Sequence, residues 1–199
     1  MIKIIYGDCR NTIKQIQNES VQCVVTSPPY WGLRSYLPKG HANKNLEIGQ
    51  EKSPQEYVST MVELFSEIHR TLKPDGTVWL NLGDCFARTA GDDSKKQTDQ
   101  NFKTGRTGNS KILFKEGNNK PPLGLKSKDL IGIPWRVAFG LQESGWYLRS
   151  DIIWSKPNPM PESVCDRPTR SHEYIFLLTK SEKYYYNSDA IRERPSPIV

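Results

Sequence analysis

At 199 residues the chain is long enough for one domain with a substantial core and too short for two. Only 36% of it is apolar, and no apolar run approaches the ~20 residues that a bilayer-spanning helix needs, which argues against any membrane partner. Four widely spaced cysteines with no C-x-x-C pair, and only three histidines, argue against a metal centre and for the reduced thiols of a cytoplasmic protein.

Residues 2–6 read as a first strand, lacking the basic start and long apolar stretch of a signal peptide. Gly7-Asp8 ends it, and Asp8 can cap a helix running from about Cys9 to Gln17. A carboxylate at a strand's C-terminal end in an α/β sheet also points towards the ligand crevice, so Asp8 has two readings, cap and ligand contact. Val21 to Val25 then reads as a short buried strand, and Thr26-Ser27-Pro28-Pro29-Tyr30 stops it. Two consecutive prolines fix φ and lack N–H donors, so this stiff turn offers a ligand only carbonyls, the Ser27 hydroxyl and the Tyr30 ring. Such a site suits a planar group bearing N–H donors.

Trp31 to Gln50, rich in Gly, Pro, Asn and Lys, reads as a loop over that turn, with Trp31, Arg34, Tyr36 and Lys39 suited to nucleic acid. Ser53 with Glu56 forms a capping box and Pro54 opens a helix whose apolar stripe (Tyr57, Met61, Leu64, Phe65, Ile68, Leu72) is core. Pro74-Asp75-Gly76 turns into a strand over Thr77–Leu82, at whose end Asn81, Gly83 and Asp84 face the ligand side. Residues 86–128 hold ten basic residues, among them Lys95, Lys96, Lys103 and Arg106, against four acidic ones, an excess equal to the net charge of +6 of the whole chain. Beside a base-handling site, such a segment is a candidate contact for phosphates and is expected to be mobile without DNA. A helix starts at Pro134 and closes near Ser144-Gly145. Trp146 to Trp154 follows as a strand, and Lys156 to Arg170 as a proline-rich loop. Glu173 to Thr179 is a buried strand expected to form a hairpin with residues 183–187. Residues 1–190 thus form one α/β domain with a basic insertion at 86–128, and residues 191–199 a tail. The expected sheet is mainly parallel with an antiparallel C-terminal edge.

The Ser27-Pro28-Pro29-Tyr30 turn after a strand resembles the Ser/Asp/Asn-Pro-Pro-Tyr/Phe motif of DNA amino-methyltransferases. The segment from Ile152 to Glu162, followed by Arg167-Pro168-Thr169 and Ser171-His172-Glu173-Tyr174, is similar to one in phage and restriction-system members. The resemblance implies a Rossmann-like methyltransferase sheet, S-adenosyl-L-methionine as methyl donor, and double-stranded DNA as partner. The Ser27 hydroxyl and the Pro28 carbonyl would accept hydrogen bonds from the exocyclic amine of a flipped base, on which Tyr30 stacks. Pro29 completes the motif, Asp8 and Thr26 would lie on the donor side, and Arg34, Lys156 and Arg167, with the four basic residues named above, on the DNA. Serine at position 27 points to N4 of cytosine; N6 of adenine is the alternative.

The family's Gly-rich donor-binding segment follows its catalytic half, whereas this chain contains no Gly-x-Gly. The resemblance therefore implies a truncated form in which the Val21–Val25 strand keeps an unpaired apolar edge, completed by a second chain or a missing C-terminal segment. Poor donor binding by the chain alone follows. Two rival readings are a methyltransferase acting on RNA or on a protein glutamine, and a DNA-binding inactive remnant.

Overall fold

The computed structural model describes residues 2–87 and 124–193. The described elements are α1 (Cys9–Thr12), β1 (Val21–Thr26), α2 (Pro54–Thr71), β2 (Leu72–Leu82), α3 (Ile133–Glu143), β3 (Tyr147–Ser155) and β4 (His172–Thr179), and the four strands lie in the order β1-β2-β4-β3. β1 pairs with β2 in parallel, while β4 runs antiparallel to both β2 and β3. The α/β class is as expected, but the sheet is mixed and mostly antiparallel rather than mainly parallel. The cause is the route of the chain: β3 is laid beyond the centre, and the return through residues 156–171 inserts β4 between β2 and β3.

Three expected elements change for related reasons. Residues 2–6 form no strand, because no strand among the described residues supplies them with a ladder; Ile2 is 94% exposed. The hairpin partner of β4 is the strand before it, not residues 183–187, which carry no strand; the Tyr185 N–H instead donates to the Asp75 carbonyl at 3.0 Å. The helix over residues 9–17 is one α turn continued by a 3-10 turn at Ile13–Gln15.

β2 begins earlier than expected. Val21 lies opposite Leu72 and Cys23 opposite Thr77, so Lys73-Pro74-Asp75-Gly76 bulges out of the ladder instead of forming a separate turn. Pro74 has no N–H to give to a ladder, which fits that bulge.

α2 follows its sequence signals: Ser53 Oγ accepts from the Glu56 N–H at 3.2 Å, Pro54 occupies the first turn, and Tyr57, Met61 and Phe65 are fully buried. These side chains and Val137, Ala138 and Leu141 of α3 pack on Val78, Leu80 and Leu82 of β2 and on Phe176 and Leu178 of β4. α2 and α3 approach closely at Gly140, where a Cβ would fall 2.7 Å from Val58 Cγ1. Both helices therefore cover one face of the sheet.

Among the described residues nothing covers the opposite face. Cys23 and Val25 of β1, Ile152 and Trp154 of β3 line it, with Val25 79% and Trp154 57% exposed. Among the described residues β1 is an edge strand, in keeping with the expected unpaired apolar edge, but one of its faces is exposed where a buried strand was expected.

Candidate active site

β1 ends at Thr26, and the chain turns through Ser27, Pro28, Pro29 and Tyr30 at the C-terminal end of the sheet's parallel pair. The turn is pinned from below by α2, where the buried Tyr57 hydroxyl donates to the Pro29 carbonyl at 2.9 Å. Among the described residues no hydrogen bond is recorded to the Pro28 carbonyl, which remains the backbone acceptor of the turn. Pro28 is buried and Ser27 exposed, so the hydroxyl is the accessible part of the motif.

Tyr30 folds back into a polar cluster built from three elements. Its hydroxyl lies 2.7 Å from Asn81 Oδ1 on β2 and 3.0 Å from Glu173 Oε2 on β4. The Ser27 hydroxyl lies 3.2 Å from the Tyr30 oxygen and 3.3 Å from Asn81 Oδ1. The Asn81 amide is oriented by its own NH₂ group, which donates to the Tyr174 carbonyl at 3.1 Å and so turns Oδ1 towards Tyr30. Lys156, at the end of β3, forms an ion pair with the other oxygen of Glu173.

Burial, and then the neighbouring Glu173 charge, push the Tyr30 hydroxyl up to about 12, against a hydrogen bond from Ser27 that lowers it. Tyr30 is therefore a neutral donor and acceptor at physiological pH. Burial opposes ionisation of Glu173, but Lys156 and the Tyr30 hydroxyl outweigh it and hold the carboxyl below its ordinary value.

The structure thus brings Ser27, Pro28, Pro29 and Tyr30 together with Thr26. Asp8 is separate: it caps α1 by accepting from the Arg10 N–H at 3.0 Å and forms an ion pair with the Arg10 guanidinium, which holds its carboxyl low. Arg10 in turn donates to the Leu46 carbonyl at 2.8 Å, tying α1 to the loop over the site. That loop is itself braced by Glu47, whose side chain accepts from the Leu37 N–H at 3.0 Å and from Ser35 at 3.1 Å and pairs with Lys44.

Of the residues expected on DNA, Arg34 is exposed. Lys156 is engaged by Glu173, and Arg167 pairs with Glu162 at 2.6 Å while its guanidinium lies 3.8 Å from the Phe86 ring centroid. Lys95, Lys96, Lys103 and Arg106 lie outside the described residues. The two ends of the basic segment do meet: Phe86 bridges Leu130, and the Ala87 N–H donates to the Asp129 carbonyl at 2.8 Å.

Sequence reasoning placed Asn81 on the ligand side but assigned no role to Glu173. The signal was present, since Glu173 sits in the quoted Ser171-His172-Glu173-Tyr174 segment. Asp84 is a further surprise. Only 2% of its side chain is exposed, and it caps α3 across space, accepting from the Gly132 and Ile133 N–H groups at 3.0 and 2.9 Å.

Beside Ser27 the bare sheet face forms an open groove of about 470 Å³, lined by apolar side chains that include Val25, Trp79, Trp154 and Ile175, with Thr26, Ser27 and Asn81 as its polar members. This donor set fits the methyl-bearing end of a cationic methyl donor, where apolar walls and hydroxyl oxygens suffice. It includes no carboxylate for the hydroxyls of a ribose.

The chain is similar to known DNA methyltransferases in sequence and in fold. A family model described as DNA methylase, for N6 and N4 methyltransferases, matches residues 21–197. The type II methyltransferase M.SmaI of Serratia marcescens is 51% identical over 196 residues, covering 98% of this chain and 61% of that protein. M.Cfr9I of Citrobacter freundii is 49% identical over 187 residues, covering 94% and 57%. The chain therefore spans about three fifths of the length of these curated relatives. Among solved structures, the cytosine-N4-specific PvuII DNA methyltransferase superposes with a TM-score of 0.55 at 19% identity, covering 89% of this chain and 49% of that one. A putative DNA modification methylase from Thermus thermophilus, solved with S-adenosyl-L-methionine, gives 0.54 at 18%, covering 92% and 55%. A family match from β1 to beyond β4, over the strands that carry Ser27, Asn81 and Glu173, leaves one conclusion: the chain belongs to the N6/N4 DNA methylase family.

Proposed function

We propose that this chain is the base-handling part of a type II DNA methyltransferase that moves a methyl group from S-adenosyl-L-methionine to the exocyclic amine of a base flipped out of double-stranded DNA, with N4 of cytosine as the target. The carrying observation is the Ser27 hydroxyl, exposed at a strand end and donating to Tyr30 or Asn81, which leaves its oxygen to act as an acceptor.

An aromatic amine is a poor nucleophile because its lone pair is delocalised into the ring. Accepting one N–H at Ser27 Oγ and the other at the Pro28 carbonyl draws the nitrogen towards tetrahedral geometry and aims its lone pair away from the turn. Bound donor supplies an electrophilic methyl group on a sulfonium. Tyr30 presents a ring for the extruded base, offsetting an unstacking cost of a few kcal/mol. No covalent nucleophile is required. Burial pushes the Cys85 thiol up to about 12, which keeps it unreactive. Serine at position 27 supports N4 over N6.

The test is transfer from methyl-labelled donor to duplex DNA, followed by nucleoside analysis. N4-methylcytosine, lost in Ser27→Ala, is expected. Label on N6-methyladenine would move the target base. Retarded mobility of DNA in gels without any label would instead make the chain a binding remnant.

A further inference from the structure

We infer that Glu173, clamped by Lys156, is the terminal proton acceptor of a relay running from Ser27 through Tyr30, which drains the proton released when the amine is methylated. The inference rests on the methyltransferase reading and adds a residue to it. Glu173 is not among the residues lining the groove and is a positioning residue that acts through Tyr30.

The geometry gives the relay its direction. Each hydroxyl has one proton, and the chain ends in groups that only accept. Asn81 Oδ1 is held facing Tyr30 by the bond from its NH₂ group to the Tyr174 carbonyl, and it cannot take up a proton. Glu173 can. Tyr30 thus directs its one proton to both acceptors, Asn81 Oδ1 at 2.7 Å and Glu173 Oε2 at 3.0 Å, and its oxygen stays open to the Ser27 proton at 3.2 Å. The Ser27 lone pairs are then left for the amine. Without Glu173 the Tyr30 proton stays on the bond to Asn81 Oδ1 at 2.7 Å, an acceptor that cannot take it up, and the relay has no terminus.

The atoms balance. One N–C bond forms, and the methyl leaves its sulfonium as the C–S bond breaks to a neutral thioether. The N–H proton passes to Ser27 Oγ as the Ser27 proton passes to the Tyr30 oxygen and the Tyr30 proton to Glu173 Oε2. A carboxylate becomes a carboxylic acid, and no other base is consumed. The proton comes from an N-methylated aromatic ammonium, a far stronger acid than any carboxyl, so a low-lying Glu173 is basic enough and recharges by release to solvent.

Among the described residues, the charged and titratable groups facing Glu173 are few. Lys156 comes from β3 and Tyr30 from the turn after β1; Asn81 of β2 is neutral; Tyr36 adds to the field at Tyr30. Lys156 therefore sets where the acceptor titrates. Replacing it by methionine removes the opposing cation, and Glu173 must then titrate at higher pH.

Two measurements on the full chain decide the point. In the first, the Glu173 carboxyl is titrated by ¹³C NMR in the unliganded protein, assigned by its loss in Glu173→Gln. Its titration is expected to move to higher pH in both Lys156→Met and Tyr30→Phe; an unmoved titration in Tyr30→Phe overturns the relay whatever the activity. In the second, methyl transfer is followed against pH. Glu173→Gln and Tyr30→Phe are expected to lower kcat by about 100-fold, the lower end of what proton transfer contributes, with KM for DNA unchanged. Lys156→Met should move the acidic limb of kcat to higher pH. Wild-type transfer with a superimposable Lys156→Met profile, or with full kcat in Glu173→Gln, overturns the relay and leaves the methyltransferase reading standing. Since the chain alone is expected to bind donor poorly, the ¹³C titration decides the relay where the wild-type chain transfers no methyl group.

Discussion

The Tyr30 ring lies against Gly83: a Cβ at position 83 would come within 2.6 Å of Tyr30 Cε2 and 2.9 Å of Cδ2. No real side chain tolerates such an approach, so the small residue after β2 sets where the ring, and through it the hydroxyl, can sit. Gly83→Ala should therefore push Tyr30 out of reach of Asn81 and Glu173. The expected cost is about 1–3 kcal/mol, typical of overpacking, read as a lower urea midpoint. The same variant should bring the Tyr30 hydroxyl down from about 12, because the ring becomes more exposed. Unchanged stability and an unchanged tyrosine titration would contradict the packing argument.

Asp84 is expected to be a stability residue. Its buried carboxylate accepts from the Cys85, Gly132 and Ile133 N–H groups and lies 3.8 Å from the Arg170 guanidinium, itself poorly exposed. Asp84→Ala strips the cap from α3 and strands a buried cation, at a cost of about 3 kcal/mol by equilibrium unfolding. Asp84→Asn keeps an acceptor for some of these bonds and should fall between the two. A loss below about 1 kcal/mol in the alanine variant would show that α3 does not depend on this contact.

Glu47 predicts how the loop over the site responds to acid. Burial raises its pKa, but Lys44 and the Tyr36 and Leu37 N–H groups outweigh that effect, so the folded value lies below the unfolded one. A depressed carboxylate contributes stability that is complete above its unfolded value, about 4.3, and is lost as pH falls through the lower folded value. The loop from Ser35 to Glu47 should accordingly become susceptible to proteolysis on acidification within that range, and Glu47→Gln should be susceptible already at neutral pH. Equal cleavage of both proteins at pH 7 would refute the brace.

Much of the site was legible in the chain because its parts are local. The two prolines, Ser27 and Tyr30 are consecutive, and their stiffness follows from covalent geometry. The Ser53 cap, the stripe from Tyr57 to Ile68 and the helix opening near Pro134 are equally local and formed, although the Glu56 carboxylate accepts from the Lys52 N–H at 2.9 Å where a full capping box would use that of Ser53. What failed was pairing. Residues 2–6 have the composition of a strand yet form none, since composition does not supply a neighbour. The position of β4 between β2 and β3 could not be read from its own residues, nor could the meeting of Tyr30 with Glu173, 143 residues later. The Asp84 cap was hidden for the same reason, as it reaches across 48 residues of chain to Gly132.

β4 is hydrogen-bonded along both sides, β1 along one. Amide exchange should therefore be slow around Phe176 and fast near Val25, so the acceptor Glu173 stands on an interior strand and the base-binding turn on an edge strand. Fraying of a single edge strand would carry Ser27 and Tyr30 away while Glu173, Asn81 and the core beneath them stay folded. Loss of the site on warming should then precede the cooperative melting of the domain, and any ligand that holds the turn will register as protection of β1 alone.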